Sequence, residues 1–259
     1  MTDTVRPEFI DFAHRLADAA GDVIRPYFRA AVAVDEKADD SPVTIADRDA
    51  EAAMRELIAA QFPDHGILGE EHGAERRDAE FVWVLDPIDG TKSFITGSPL
   101  FGTLVSLTQN GRPVLGVIDQ PITDERWLGA VGQATVLNGE PIGVRACDEI
   151  GRAVMFCYGV ESFEGARGAV FREIGARVKL KRFSADCYAY GLLAAGFADL
   201  VIEDGMSAWD YCALTPVVEG AGGVITDWQG APLGLDSGDT VLACGDRALH
   251  EELLRLTGT

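Results

Sequence analysis

Nowhere in the 259 residues does an apolar run approach the length of about eighteen that a membrane-crossing helix needs. Nor does the start of the chain place a basic region before an apolar stretch of signal length. The expectation is a cytoplasmic protein with no membrane partner. Cationic side chains are also scarce, with 22 Lys and Arg against 42 Asp and Glu and a formal charge of −20. Nucleic-acid binding draws most of its affinity from neutralising phosphates with Lys and Arg, so no nucleic-acid partner is expected. The five cysteines are odd in number and scattered, with no Cys-x-x-Cys pair. That argues against a disulfide framework or a cysteine zinc site, and the thiols read as reduced and mostly buried. His14, His65, His72 and His250 form no zinc spacing such as His-Glu-x-x-His and read as surface or packing residues.

What is present is the composition of a folded protein, 47% hydrophobic and 25% charged, with length enough for a substantial core. Phe9, Phe12, Ala13, Leu16, Ala20, Val23, Ile24 and Tyr27 recur at helical spacing and predict one amphipathic helix over 6–29. Ala50, Ala53, Met54, Leu57 and Ile58 predict a second, ended by Pro63 and Gly66. Between them Val34 to Thr44 reads as a charged loop or hairpin carrying Asp39-Asp40-Ser41-Pro42. Short β-rich runs at 81–85, 103–108, 114–119 and 126–131, with a hairpin signal at Asn110-Gly111, predict an antiparallel meander. After Ile150, strands at 153–158, 200–203 and 224–226 alternate with helices at 166–174, 187–195 and 211–219. The fold class is therefore α/β with an α+β N-terminal half. We expect one domain over 1–259, with approximate subdomains 1–145 and 146–259 sharing a continuous sandwich of helices and sheets.

The densest chemical signal is Trp83-Val-Leu-Asp86-Pro-Ile-Asp89-Gly-Thr91, an apolar strand running into two carboxylates and a turn. Alone, Pro87 and Asp89-Gly90 could make no more than a tight turn. Glu70-Glu71 stands upstream, however, and Trp209-Asp210 opens a helix that ends at Gly220-Ala-Gly222-Gly223. Carboxylates converging in one site suppress one another's ionisation unless divalent cations lie between them. Oxygen ligands without clustered His or Cys suit magnesium. An acidic protein that binds a small phosphorylated substrate needs such a local positive charge.

With these residues in hand, the sequence resembles the inositol-monophosphatase family of lithium-sensitive, magnesium-dependent phosphatases. The resemblance rests on Ser41-Pro42-Val43-Thr44 with Ala46-Asp47, on Gly69-Glu70-Glu71, on Asp86 to Thr91, and on Trp209-Asp210 followed by Glu219-Gly-Ala-Gly-Gly223, in order over nearly the whole chain. It implies a layered α-β-α-β-α sandwich, often dimeric, so a homodimer is expected. It further implies Glu70, Asp86 and the Ile88 carbonyl as ligands of one Mg2+, and Asp86, Asp89 and Asp210 as ligands of a second. A third, weaker Mg2+ would lie near Glu70, and the 34–44 loop would close over the site. Thr91 and Asp47 would take a proton from a metal-bound water that attacks in line, with Glu70 also in the catalytic set. The turn at Gly90 and Thr91 opens a short helix suited to phosphate oxygens.

Two further stretches resemble the histidinol-phosphatase branch of that family. Arg182-Phe-Ser184-Ala-Asp186-Cys-Tyr188-Ala-Tyr190 places a carboxylate where the family segment is neutral, and Glu203 falls on its acidic contact position. Ser184, Asp186, Glu203 and Asp210 join Gly90 and Thr91 as expected substrate contacts. Histidinol carries an ammonium and a basic imidazole, and a charge-assisted hydrogen bond contributes roughly 1.5 to 3 kcal/mol. Asp186 could instead cap the following helix, and Lys92 could reach phosphate or stay solvated. Within the family the alternatives are an inositol monophosphatase or a broad sugar-phosphate phosphatase; outside enzymology, it is an interaction scaffold. An Asp-x-Asp phosphatase nucleophile fails on spacing. A dinucleotide fingerprint at 220–223 fails because its glycines follow a helix and precede a strand.

Overall fold

The computed structural model describes residues 4–30, 34–36, 42–159, 163 and 165–257. Helix α1 (Pro7–Ile24) starts on a proline at its first turn and gives way to a 3-10 turn at Arg25–Tyr27. Pro26 has no N–H to continue the ladder, so the helix stops short of the predicted residue 29. Strands β1 (Val34–Glu36) and β2 (Pro42–Thr44) pair as the antiparallel hairpin that was one of two readings of this segment; Asp39, Asp40 and Ser41 lie outside the described residues. Helix α2 (Ile45–Gln61) follows directly, with Thr44 as its cap.

Next come β3 (Gly66–Gly69), β4 (Gly73–Glu75), β5 (Phe81–Asp89), the short helix α3 (Thr91–Ile95), β6 (Gly102–Gln109), β7 (Arg112–Gln120), β8 (Glu125–Ala130), β9 (Val136–Leu137) and β10 (Glu140–Pro141). The predicted meander is the centre of an eight-stranded sheet of order β10-β9-β8-β7-β6-β5-β3-β4, antiparallel except where β3 runs parallel to β5. The remainder comprises β11 (Val154–Cys157), α4 (Gly165–Arg177), β12 (Leu180–Phe183), α5 (Tyr188–Ala194), β13 (Leu200–Glu203), α6 (Ala208–Tyr211), α7 (Leu214–Gly220), β14 (Val224–Thr226), β15 (Val241–Cys244) and α8 (Arg247–Thr257). Its strands form a five-stranded mixed sheet of order β12-β11-β13-β15-β14.

Side-chain alternation fixes the layers. Along β5, Trp83 and Leu85 face α1 and α2 with Phe12, Leu16 and Met54. Val82 and Val84 face the opposite way, into a core shared with Tyr190 and Leu193 of α5, Val217 of α7 and Val201 of β13. On the outer face of the smaller sheet, Leu200, Ile202 and Leu242 pack with Phe171 of α4 and Leu249 and Leu253 of α8. The stack is the expected α-β-α-β-α sandwich. All five cysteines are free and buried, and no described helix is long and apolar enough to cross a membrane.

The middle layer depends on two glycines. Gly116 of β7 and Gly129 of β8 are cross-strand partners. A Cβ on Gly116 would lie 2.0 Å from the Ala213 carbonyl oxygen, and one on Gly129 would lie 2.2 Å from that of Pro216. The backbone leading into α7 therefore lies directly on the sheet. Here the predicted continuous helix at 211–219 is two short ones. Pro216 cannot donate to the carbonyl four residues back, and the Ser106 hydroxyl donates to that Cys212 oxygen instead, at 3.1 Å. Gly129→Ala should therefore overpack this contact and cost about 1 to 3 kcal/mol. Scanning calorimetry should show a melting temperature lower by several degrees. Gly238→Ala, which meets nothing within 4 Å, should leave it unchanged.

Candidate active site

Strand β5 carries Asp86 on the same face as Val82 and Val84, toward the middle layer. Simple alternation would send Asp89 to the other face. A one-residue register shift intervenes: Asp86 pairs with Leu104 and Asp89 with Gly102, so both carboxylates share a face. Helix α6 brings Asp210 to meet them, and one oxygen from each of Asp86, Asp89 and Asp210 lies within 4.8 Å of the others. The turn before β6 is closely held. The Ile88 N–H donates to Asp86 Oδ1 at 3.1 Å, and the Thr103 hydroxyl donates to the Pro87 carbonyl at 2.8 Å. The Cys187 N–H donates to Asp89 Oδ2 at 2.6 Å, and the Ser207 N–H to Asp210 Oδ2 at 2.6 Å.

Burial, then the charges of Glu70, Asp89 and Asp210, pushes the Asp86 carboxyl far above the usual range. Asp89 is pushed the same way by burial and by Asp186 and Asp210. These three groups cannot all be ionised together without compensating positive charge. Their hard oxygen atoms are the donor set for a small divalent cation.

A cavity of about 530 Å³ opens over this cluster. It is lined by Glu70, Asp89, Gly90, Thr91, Lys92, Asp186, Glu203 and Asp210 among the residues singled out from sequence. Asp47 and Ile88 are buried at its margin: the Thr91 hydroxyl donates to the Ile88 carbonyl at 3.2 Å and reaches Asp47 Oδ1 only at 3.5 Å. Asp47 Oδ2 accepts the Thr44 hydroxyl at 2.6 Å and the Thr44 N–H at 2.9 Å, closing the capping box of α2. Burial nevertheless raises the Asp47 carboxyl.

Gly90 has φ +88°, and a Cβ there would lie 2.6 Å from Asp186 Oδ2, so glycine both permits the turn and admits the carboxylate. Asp186 is not the helix cap that its position suggested. Cys187 holds that place, and the Asp186 carboxylate accepts the buried Ser93 hydroxyl at 2.8 Å. Burial raises Asp186 to about 6 against the opposing influence of Ser93 and Lys92. The Lys92 ammonium lies 5.2 Å from the centre of the Tyr158 ring. Burial likewise raises Glu203 to about 8, although the Tyr190 hydroxyl donates to it at 2.9 Å. Ser184 is exposed, donates to the Tyr158 carbonyl at 3.3 Å and is not among the cavity-lining residues.

Sequence reasoning passed over Tyr158 and Glu51 and gave Ser93 and Tyr190 no role of their own. Tyr158 and Tyr190 line the cavity, but a tyrosine in an apolar stretch carries no signal of that. Glu51 did carry one, being an acidic residue one helical turn after Asp47 on the stripe with Ala50 and Met54.

Residues 6–258 match the model of the inositol monophosphatase family. The bifunctional phosphatase IMPL2, chloroplastic, of Arabidopsis thaliana is 46% identical over 98% of this chain and 76% of its own. A histidinol-phosphatase of Chlorobaculum parvum is 36% identical over 96% of each. The solved structure of an inositol monophosphatase from Zymomonas mobilis is 47% identical, superposes with a TM-score of 0.90 and covers 97% of this chain and 98% of that one. With the layered fold and the acidic cavity in agreement, the chain belongs to the inositol monophosphatase family of metal-dependent phosphatases.

Proposed function

We propose that this phosphatase uses magnesium to hydrolyse L-histidinol phosphate to L-histidinol and phosphate. The observation that carries the reading is the second pair of carboxylates, Asp186 and Glu203, in the same cavity as Asp89, Gly90 and Thr91. A cationic alcohol placed against them gains charge-assisted contacts that a neutral alcohol does not. The name of the Chlorobaculum parvum relative supports the same substrate.

Glu70, Asp86 and the Ile88 carbonyl would hold one Mg2+, and Asp86, Asp89 and Asp210 a second. When bound, these ions supply an acidic water and neutralise the phosphate and the departing oxygen. The chain supplies placement. Thr91 stands between Ile88 and Asp47, so a proton passed to the threonine hydroxyl has a carboxylate acceptor at 3.5 Å. Gly90 leaves the backbone open to phosphate oxygens. Asp186 touches this turn, so the group that reads the alcohol is seated against the group that holds the phosphate.

A second reading has its own support. With burial raising its pKa to about 8, Glu203 beside a neutral substrate stays protonated and donates a hydrogen bond suited to a sugar or inositol hydroxyl, whereas a cation placed against it favours the carboxylate. A phosphate-release panel of histidinol phosphate, inositol phosphate and fructose bisphosphate separates the two; higher kcat/KM for either neutral substrate overturns the first.

Asp210→Asn keeps the hydrogen-bonding shape that caps α6 but removes a cation ligand, so kcat should fall by roughly two orders of magnitude or more. Circular dichroism should be unchanged, and full turnover at ordinary magnesium would refute the ligand assignment. Exhaustive chelation should inactivate the wild type reversibly, and added magnesium should raise its melting temperature.

Asp186→Asn should lower kcat/KM for histidinol phosphate by about tenfold to a hundredfold, or roughly 1.4 to 3 kcal/mol. A neutral alcohol phosphate should change far less. Equal losses on both substrates would make Asp186 a support of the turn, and no loss on either would leave Glu203 as the reader of charge.

A further inference from the structure

Glu51 is wholly buried on α2, yet its carboxylate is directed at a loop and not at the core. Its Oε2 accepts the Glu71 N–H at 2.7 Å, and its Oε1 accepts the His72 N–H at 3.2 Å. Arg55, one turn further along α2, donates to Oε1 at 2.7 Å and also binds Glu75 at 2.8 Å and the Gly73 carbonyl. One turn earlier, the Arg48 carbonyl meets His72 Nε2 at 3.0 Å. Three successive turns of one helix thus grip the turn between β3 and β4. The residue that begins it is Glu70, whose N–H still donates to the Leu85 carbonyl of β5 at 3.2 Å. Gly69 completes the fit, since a Cβ there would lie 2.0 Å from Glu51 Oε1.

We propose that Glu51 is the positioning residue for Glu70 and thereby sets the affinity of the site for its divalent cation. Glu70 is the sole expected cation ligand carried on a short loop; Asp86, Asp89 and the Ile88 carbonyl belong to a central strand, and Asp210 to a capped helix. The Glu70 N–H bond to Leu85 ends the β3–β5 ladder, and Glu71 and His72 beyond it lie outside both strand pairings. The buried carboxylate substitutes for a strand partner by accepting consecutive N–H groups. Asp47 and Glu51 stand one helical turn apart, so the same face of α2 supports the proton acceptor and the loop ligand. The inference rests on Glu70 binding the cation, which magnesium titration of the wild type tests separately.

Glu51→Gln replaces one acceptor oxygen with an amide that faces donors only. Calorimetric titration of the chelated protein with Mg2+ should show about tenfold or greater weakening, the size typical for loss of a partner that orients a metal ligand. The magnesium needed for half-maximal activity should rise in step, while KM for histidinol phosphate at saturating magnesium should move less than about threefold. Gly69→Ala displaces the same carboxylate from the other side and should weaken Mg2+ in the same direction, even if Glu51→Gln fails to fold. A variant with a lowered metal-free melting temperature but wild-type Mg2+ affinity would overturn the proposal and make Glu51 a structural clamp. Failure of the wild type to bind Mg2+ would count against the function proposed above instead.

Discussion

Two unit charges 4.8 Å apart repel by about 3.5 kcal/mol at an effective dielectric of about 20. Asp86, Asp89 and Asp210 bring one oxygen each within that distance of the others, so ionising all three would set up three such repulsions, with Asp86 buried. Much of the surrounding structure can be read as the means of holding them there. The register shift in β5 puts two of them on one face. The paired glycines Gly116 and Gly129 let the α7 backbone settle onto the sheet, which carries the adjoining α6 and its Asp210 to the end of β5. Hydrogen bonds from Ile88, Cys187 and Ser207 then fix each carboxylate in direction.

The cavity that results has two chemically distinct ends. One is the carboxylate cluster with the Gly90 turn; the other is Asp186, Glu203 and two tyrosines. They meet where Asp186 occupies the space a side chain on residue 90 would fill. A substrate that is anionic at one end and hydroxylated or cationic at the other matches this division. The hydrogen bond from Ser93 to Asp186 ties the two ends through α3.

Much of this was legible in the sequence. The meander between 81 and 131 announced itself through alternating β-rich runs and Asn110-Gly111, and Asp86 and Asp89 of the Asp86 to Thr91 motif meet Asp210 in one acidic cluster. What escaped has physical causes. Strands β3, β4, β12 and β15 are three or four residues long, too short for periodicity, and carry at most one β-branched residue each where the equally short β13 and β14 carry two and three. The division between α6 and α7 required knowing that Ser106, more than a hundred residues earlier, satisfies the Cys212 carbonyl freed by Pro216. Ser184 and Asp186 lie two residues apart and both have positive φ, yet only Asp186 lines the cavity. Spacing alone could not separate them.

Burial, reinforced by the acidity of the site, also governs the chemistry of its sulfur. Cys187 is buried beside Asp89; burial first and then that carboxylate push its thiol far above the ordinary value, and burial pushes Cys157 up to about 12. Oxidants and alkylating agents attack the thiolate, which neither residue forms to any extent at neutral pH. A phosphatase with a cysteine nucleophile needs a cationic pocket to ionise its sulfur and is open to peroxide for the same reason. Here burial, with the neighbouring carboxylates adding to it, holds the cavity thiol in its protonated form.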